Sequence, residues 1–132
     1  MPESDFASLQ FPPGVSCPSN VLIHGLAVRE LTDIVQQNPA ARVQLKAKLN
    51  ARLSFLSQNL GREIMHLEWF EPLKNSSYRS MRFAHVKLLN NLRIIYCIAH
   101  EKAYLLVAFK EHNSGDYTRA LGIAKNRADQ IG

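Results

Sequence analysis

The sequence predicts an α+β domain: an N-terminal helix hairpin packed on a small, mostly antiparallel twisted sheet, with a C-terminal helix. Three observations carry that prediction. Apolar residues recur at helical spacing from Val28 to Leu60, the period shortens to two after Gly61, and helical spacing returns after Asp116. The 132 residues make one domain, and 46% hydrophobic with 20% charged residues is an ordinary water-soluble mixture.

Residues 1–19 hold four of the six prolines, with Phe6, Leu9 and Phe11 scattered among them. This reads as an arm without regular structure of its own, able to lie on the domain or a partner through those apolar residues, and leaves 20–132 as the folded domain. Val21-Leu22-Ile23 is a short strand candidate ending at Gly25, with a helix beginning there as the competing reading. Val28, Leu31, Ile34 and Val35 mark the first helix, which should stop at Asn38-Pro39, because proline excludes helical geometry in the residue before it. Asn38 can cap the second helix with Pro39 in its first turn. Leu45, Leu49, Arg52/Leu53, Leu56 and Leu60 then trace one stripe until Gly61 closes it.

Glu63 to Phe70 is a strand or an extended link ending before Pro72, and strand candidates follow at Tyr78 to Val86, Leu92 to Ala99 and Ala103 to Lys110, with Asn90-Asn91 and His100-Glu101-Lys102 as joints. Alternation puts Tyr78, Ser80, Arg82 and Ala84 on one face of their strand. On the next strand it separates Arg93, Ile95 and Cys97 from Leu92, Ile94, Tyr96 and Ile98, the better core face. Arg82 and Arg93 are thereby expected on one side of the sheet. Asp116 is the expected cap of a last helix whose Ala120, Ile123, Ala124 and Arg127 are spaced to dock on the sheet.

A net charge of +5 and a pI near 9.5 favour a polyanionic partner. The distribution is more specific. No acid group lies between Asp33 and Glu63, against Arg42, Lys46, Lys48, Arg52 and Arg62; none lies between Glu71 and Glu101, against Lys74, Arg79, Arg82, Lys87 and Arg93. Two positively biased surfaces are expected. Cys17 and Cys97 fit neither a disulfide framework nor a metal site, and a reduced, cytoplasmic protein is the natural expectation. Glu3 and Asp5 stand where an export signal needs cations, and no apolar run approaches the ~20 residues of a membrane span. His24, His66, His85 and His100 share no ligand spacing with one another or with the cysteines, which argues against zinc.

Cations on a sheet face beside proton-moving groups suit the handling of an RNA backbone. RNA is cleaved without a metal when its 2′-hydroxyl attacks the adjacent phosphorus, given a proton acceptor, a proton donor and cations for the phosphorane. Arg82 and Arg93 are the expected phosphate ligands, since guanidinium forks match phosphate oxygens; the alternative is a solvated strand surface or an ion pair with Glu111 or Asp116. Tyr117 can stack on a base and exchange a proton if Arg119 and Lys110 lower its pKa from ~10; the alternative is a tyrosine covering the sheet edge. His112 titrates near neutrality, its alternative being a solvent-facing loop residue. Arg42, Lys46, Lys48, Arg52, Arg79, Lys87, Lys110 and Arg119 complete the expected RNA-binding set.

In order, these elements and several local motifs resemble the RelE/HigB superfamily of toxins from type II toxin-antitoxin pairs. Ala41-Arg42-Val43-Gln44-Leu45-Lys46-Ala47-Lys48-Leu49 looks like the family's basic second helix. Tyr78-Arg79-Ser80-Met81-Arg82-Phe83 is similar to its run ending in a basic-apolar pair, and Arg93-Ile94-Ile95-Tyr96 to its Arg-x-x-Tyr strand. Phe109, Ala124 and Arg127 stand in the register of the phage-derived HigB branch. The resemblance implies ribosome-dependent cleavage of mRNA, contacts to rRNA, no cofactor, and a cognate antitoxin as tight partner. The catalytic positions it implies are Arg82, Arg93 and Tyr117. The chain departs from the pattern at Ser80 and Arg82, where many relatives carry a lysine pair, and at Lys110-Glu111-His112, where the HigB branch often has successive lysines. Some relatives of this shape poison DNA gyrase, so a catalytically inactive or gyrase-inhibiting binding module is the alternative function.

Overall fold

The computed structural model describes residues 6–7, 18–37, 40, 42–60, 70–72, 83–88 and 91–131. Among them lie three helices and one mixed sheet, in the order β1 (Phe6–Ala7), β2 (Val21–His24), α1 (Gly25–Gln37), α2 (Arg42–Gln58), β3 (Phe70–Pro72), β4 (Phe83–Lys87), β5 (Leu92–Ala99), β6 (Lys102–Lys110) and α3 (Ser114–Ala128). The strands are arranged β1-β2-β6-β5-β4-β3. All neighbours are antiparallel except β2 and β6, which run parallel with Val21 opposite Ala103. The α+β expectation holds at this level. No helix among the described residues is long and apolar enough to cross a membrane.

Each strand sends alternate residues to opposite faces, and helices cover both. On one face Leu45, Leu49, Leu53 and Leu56 of α2 join Ala27 and Leu31 of α1 against Ala84, Val86, Leu92, Ile94, Tyr96 and Leu105. On the other, Ala120, Ala124 and Ala128 bring α3 down onto Phe83, Ile95, Cys97, Tyr104 and Leu106. Only one face of β5 was expected to be core, yet Ile95 and Cys97 are as buried as Ile94 and Tyr96 because α3 roofs them. Burial pushes the Cys97 thiol up to about 12, so it packs as a small apolar group.

Local contacts set the details of these elements. The arm is not wholly outside the domain, since Phe6 and Ala7 add a strand to β2 and the Phe6 ring sits edge-on to His24 and Tyr104, 5.1 Å from each. The second helix begins at Arg42, and its expected cap at Asn38-Pro39 lies outside the described residues. Its C-terminus is moored by Asn20, whose amide donates to the Ser57 carbonyl at 3.0 Å while the Ser57 hydroxyl donates back. The cap of α3 is Asn113 rather than Asp116: its side chain accepts from the Asp116 N–H, and the Asp116 carboxylate accepts from the Asn113 N–H, a reciprocal capping box. Finally, the β5–β6 joint is a two-residue loop in which His100 and Glu101 take φ of 54° and 61°, as a type I′ hairpin turn requires.

β2 is too short to cover β6, and side chains substitute for it. Past Leu105, Glu30 of α1 accepts the Ala108 N–H at 3.0 Å, and Arg127 of α3 donates to the Leu106 carbonyl at 2.7 Å. The two side chains close on each other in a double hydrogen bond, 2.9 Å at both nitrogens. One ion pair thus satisfies the strand edge and ties the two helical layers together.

Candidate functional site

The cluster of interest forms where β5, the end of β6 and the first turn of α3 meet. Leu92 turns toward the α1/α2 core, so Arg93 must turn the other way, toward α3. It stands opposite Lys87 on β4 and Phe109 on β6. The Glu111 N–H donates to the Asn91 carbonyl at 2.8 Å, which closes this end of the β5–β6 pair and sets the Glu111 side chain beside Arg93. Arg93 Nε lies 3.4 Å from Glu111 Oε2, and Nη1 donates to the Leu92 carbonyl at 3.0 Å.

The capping box aims Tyr117 back at this pair. Its ring lies edge-on to Phe109, the residue opposite Arg93, at 5.2 Å and tilted against His85 at 5.1 Å, which brings its hydroxyl within the influence of both Arg93 and Glu111. Burial is the main influence on that hydroxyl, with Glu111 acting in the same direction and Arg93 opposing, and the pKa is pushed up to about 12. The expectation that cations would bring it down is therefore corrected: burial outweighs Arg93 and keeps the hydroxyl protonated. Arg119, one of the cations expected to act on it, is paired instead with Asp116 at 3.3 Å. The His112 N–H foremost, then the Asn113 N–H and Arg119, hold the Asp116 carboxyl below the usual carboxylate range against the opposing effect of desolvation.

Of the residues proposed from sequence, the structure brings Arg93 and Tyr117 together, with Lys87 and Lys110 on the strand ends nearby. Arg93 also has the Glu111 ion pair that was its alternative reading. His112 is exposed on the adjoining loop, its Nδ1 3.3 Å from the Asn91 amide nitrogen. Arg79 and Arg82 lie outside the described residues, as do Cys17, Gly61 and 62–69. Ala84, expected to share a face with Arg82 and Arg93, packs with the α1/α2 core on the side away from Arg93, so the alternation argument for a shared face does not hold on β4.

The α2 cations form a separate surface. Arg42 and Lys48 are exposed and Lys46 half-buried on the layer opposite Tyr117, where Lys48 and Arg52 border an open groove of about 510 Å³ with Gln44, Ala47 and Ala51. Arg52 reaches the end of β4, its Nε 3.4 Å from the Lys87 carbonyl. The two basic surfaces therefore meet at one corner of the sheet.

His85 is the member that sequence reasoning missed. It is 5% exposed and shares the α3 face of β4 with Phe83 and Lys87, a position that alternation from Lys87 would have given once Lys87 was paired with Arg93. Among the described residues, no group of three or more His, Cys, Asp or Glu side chains could hold a metal ion. No protein-family model, curated protein or solved structure matches the chain.

Proposed function

We propose that this protein is a RelE/HigB-like toxin of a type II toxin-antitoxin pair, an endoribonuclease that cuts mRNA on the ribosome and is silenced by a cognate antitoxin. The observation that carries the reading is the meeting of Arg93 and Tyr117. These residues come from different elements, were singled out by resemblance to one family, and are brought together by Phe109, which pairs opposite Arg93 and meets the Tyr117 ring edge-on at 5.2 Å. The parallel pairing of β2 with β6, with the helix pair on one face of the sheet and α3 on the other, supports the same family reading.

In this reading Arg93 binds the scissile phosphate and neutralises the charge that develops on it. Tyr117, held protonated, hydrogen-bonds to the leaving 5′-oxygen and gives it a proton. His85 and Phe109 hold the tyrosine ring in place from two sides. The α2 cations and Lys87 contact rRNA phosphates and set the salt dependence of ribosome binding.

The experiment is induction of the protein in cells with mapping of mRNA 5′ ends, wild type against Arg93→Ala. Codon-phased cuts that vanish in the variant support the nuclease. One observation favours the alternative of a catalytically silent binding module: Arg93 faces a carboxylate of its own chain. Toxicity with damaged DNA and intact mRNA would assign the fold to gyrase inhibition, and absence of toxicity to a binding role.

A further inference from the structure

We propose that Glu111 is the proton acceptor that activates the ribose 2′-hydroxyl; this rests on the nuclease reading and supplies the group that reading leaves unassigned. Among the described residues, three candidate acceptors are near Arg93 and Tyr117. His85 is 5% exposed beneath the tyrosine ring, closed to a ribose. His112 is exposed on the loop with its ring beside the Asn91 amide. Of these three, Glu111 alone reaches both working groups: its carboxylate lies 3.4 Å from Arg93 Nε and acts on the Tyr117 hydroxyl, while its side chain stays 33% exposed to an incoming substrate. Its backbone is fixed by the Asn91 carbonyl, so the carboxylate is carried on the rigid end of the sheet.

The pair also explains how the base is switched on. In the free protein the carboxylate is engaged by Arg93 at 3.4 Å. A substrate phosphate entering the same guanidinium releases the carboxylate next to the nucleotide it must deprotonate.

The step balances within the cluster. The 2′-hydroxyl proton passes to Glu111 as the O2′–P bond forms, the P–O5′ bond breaks, and the departing O5′ takes the Tyr117 proton. Protonated Glu111 then returns a proton to the tyrosine oxygen. The products are a 2′,3′-cyclic phosphate and a 5′-hydroxyl, with no co-reactant consumed.

The test uses the full chain with ribosomes carrying a defined mRNA, comparing wild type, Glu111→Gln and Glu111→Asp, with melting curves to establish that each folds. Glu111→Gln should lower kcat by at least about 100-fold without raising KM. Glu111→Asp should recover part of the rate and keep the acid limb of the pH profile. A Glu111→Gln protein that cuts as fast as wild type, or faster, would make Glu111 a competitor of the phosphate and overturn this inference while the nuclease stands. Failure of wild type itself to cut would overturn the nuclease reading, and this inference with it.

Discussion

Replacing Arg127 by methionine tests whether the Glu30–Arg127 pair is the closure of the sheet edge that its geometry describes. The substitution keeps most of the aliphatic stem and removes two 2.9 Å bonds to Glu30 and the 2.7 Å bond to the Leu106 carbonyl. Breaking a buried ion pair from one side costs roughly 3–5 kcal/mol. Here Arg127 is 11% and Glu30 29% exposed, so the stranded carboxylate recovers some hydration and keeps the Ala108 N–H. A loss of about 2–3 kcal/mol is therefore expected, the Leu106 carbonyl contributing the 1–3 kcal/mol of an unpaired buried group. For a domain of this size each kcal/mol lowers Tm by roughly 3–5 °C. The control is Glu30→Leu with Arg127→Met: a buried ion pair can often be replaced by apolar residues at little cost, but this double variant still strands Ala108 N–H and Leu106 C=O and should remain destabilised. Thermal and urea unfolding followed by far-UV circular dichroism measure both. A double variant as stable as wild type, or an Arg127→Met loss below about 0.5 kcal/mol, would refute the edge-closing role.

Other consequences are as direct. Asn113→Ala removes the cap of α3 and should cost about 1 kcal/mol, read by urea unfolding, with the Tyr117 side-chain signals shifting because the cap orients that turn. Glu101→Gly relieves a positive φ and should gain about 0.5–1 kcal/mol after the extra chain entropy of glycine is subtracted. Phe6→Ala should lower stability and increase exchange of the β2 amides, since the ring covers His24 and Tyr104; unchanged exchange would mean the arm is idle. Tyr117 titrates near 12 when folded against ~10 unfolded, so its stabilising contribution is full below pH ~10 and falls as pH rises through the folded value. NMR titration of the tyrosine ring should find the pKa lowered by Glu111→Gln and raised further by Arg93→Ala, and shifts of opposite sign would contradict the opposing influences assigned to Glu111 and Arg93.

The legible parts of the fold were those written in local periodicity. The α2 leucines, β5 and β6 follow from residues three, four or two apart, and the structure puts them within a residue or two of expectation. What periodicity could not supply was pairing at long range. β1 has two residues, too few for any pattern, and Glu30 and Arg127 are separated by 97 residues. The second core face of β5 was missed for a related reason: a strand roofed on both sides has no polar face to alternate with, and Arg93 at its start gave the impression of one. At the site, Arg93 and Tyr117 were visible as residue types in a family register. The direction of the Tyr117 pKa shift was not, because burial by Phe109 and His85 outweighs the nearby cation and burial is a property of the assembled layers.

The two arginine–glutamate pairs allow one more discrimination between scaffold and site. Arg127 and Glu30 meet through two short bonds and complete backbone groups, whereas Arg93 meets Glu111 at a single 3.4 Å contact with the glutamate a third exposed. The two pairs are about equally exposed, 13% and 33% against 11% and 29%, so geometry separates them. Arg93→Ala gives up one long contact and the bond to the Leu92 carbonyl, and should lower stability by less than Arg127→Met. If Arg93 serves phosphate, the same variant must abolish cleavage while melting within a few degrees of wild type. A guanidinium whose removal unfolds the domain as badly as Arg127→Met would be part of the framework, and its place beside Tyr117 would then be packing rather than chemistry.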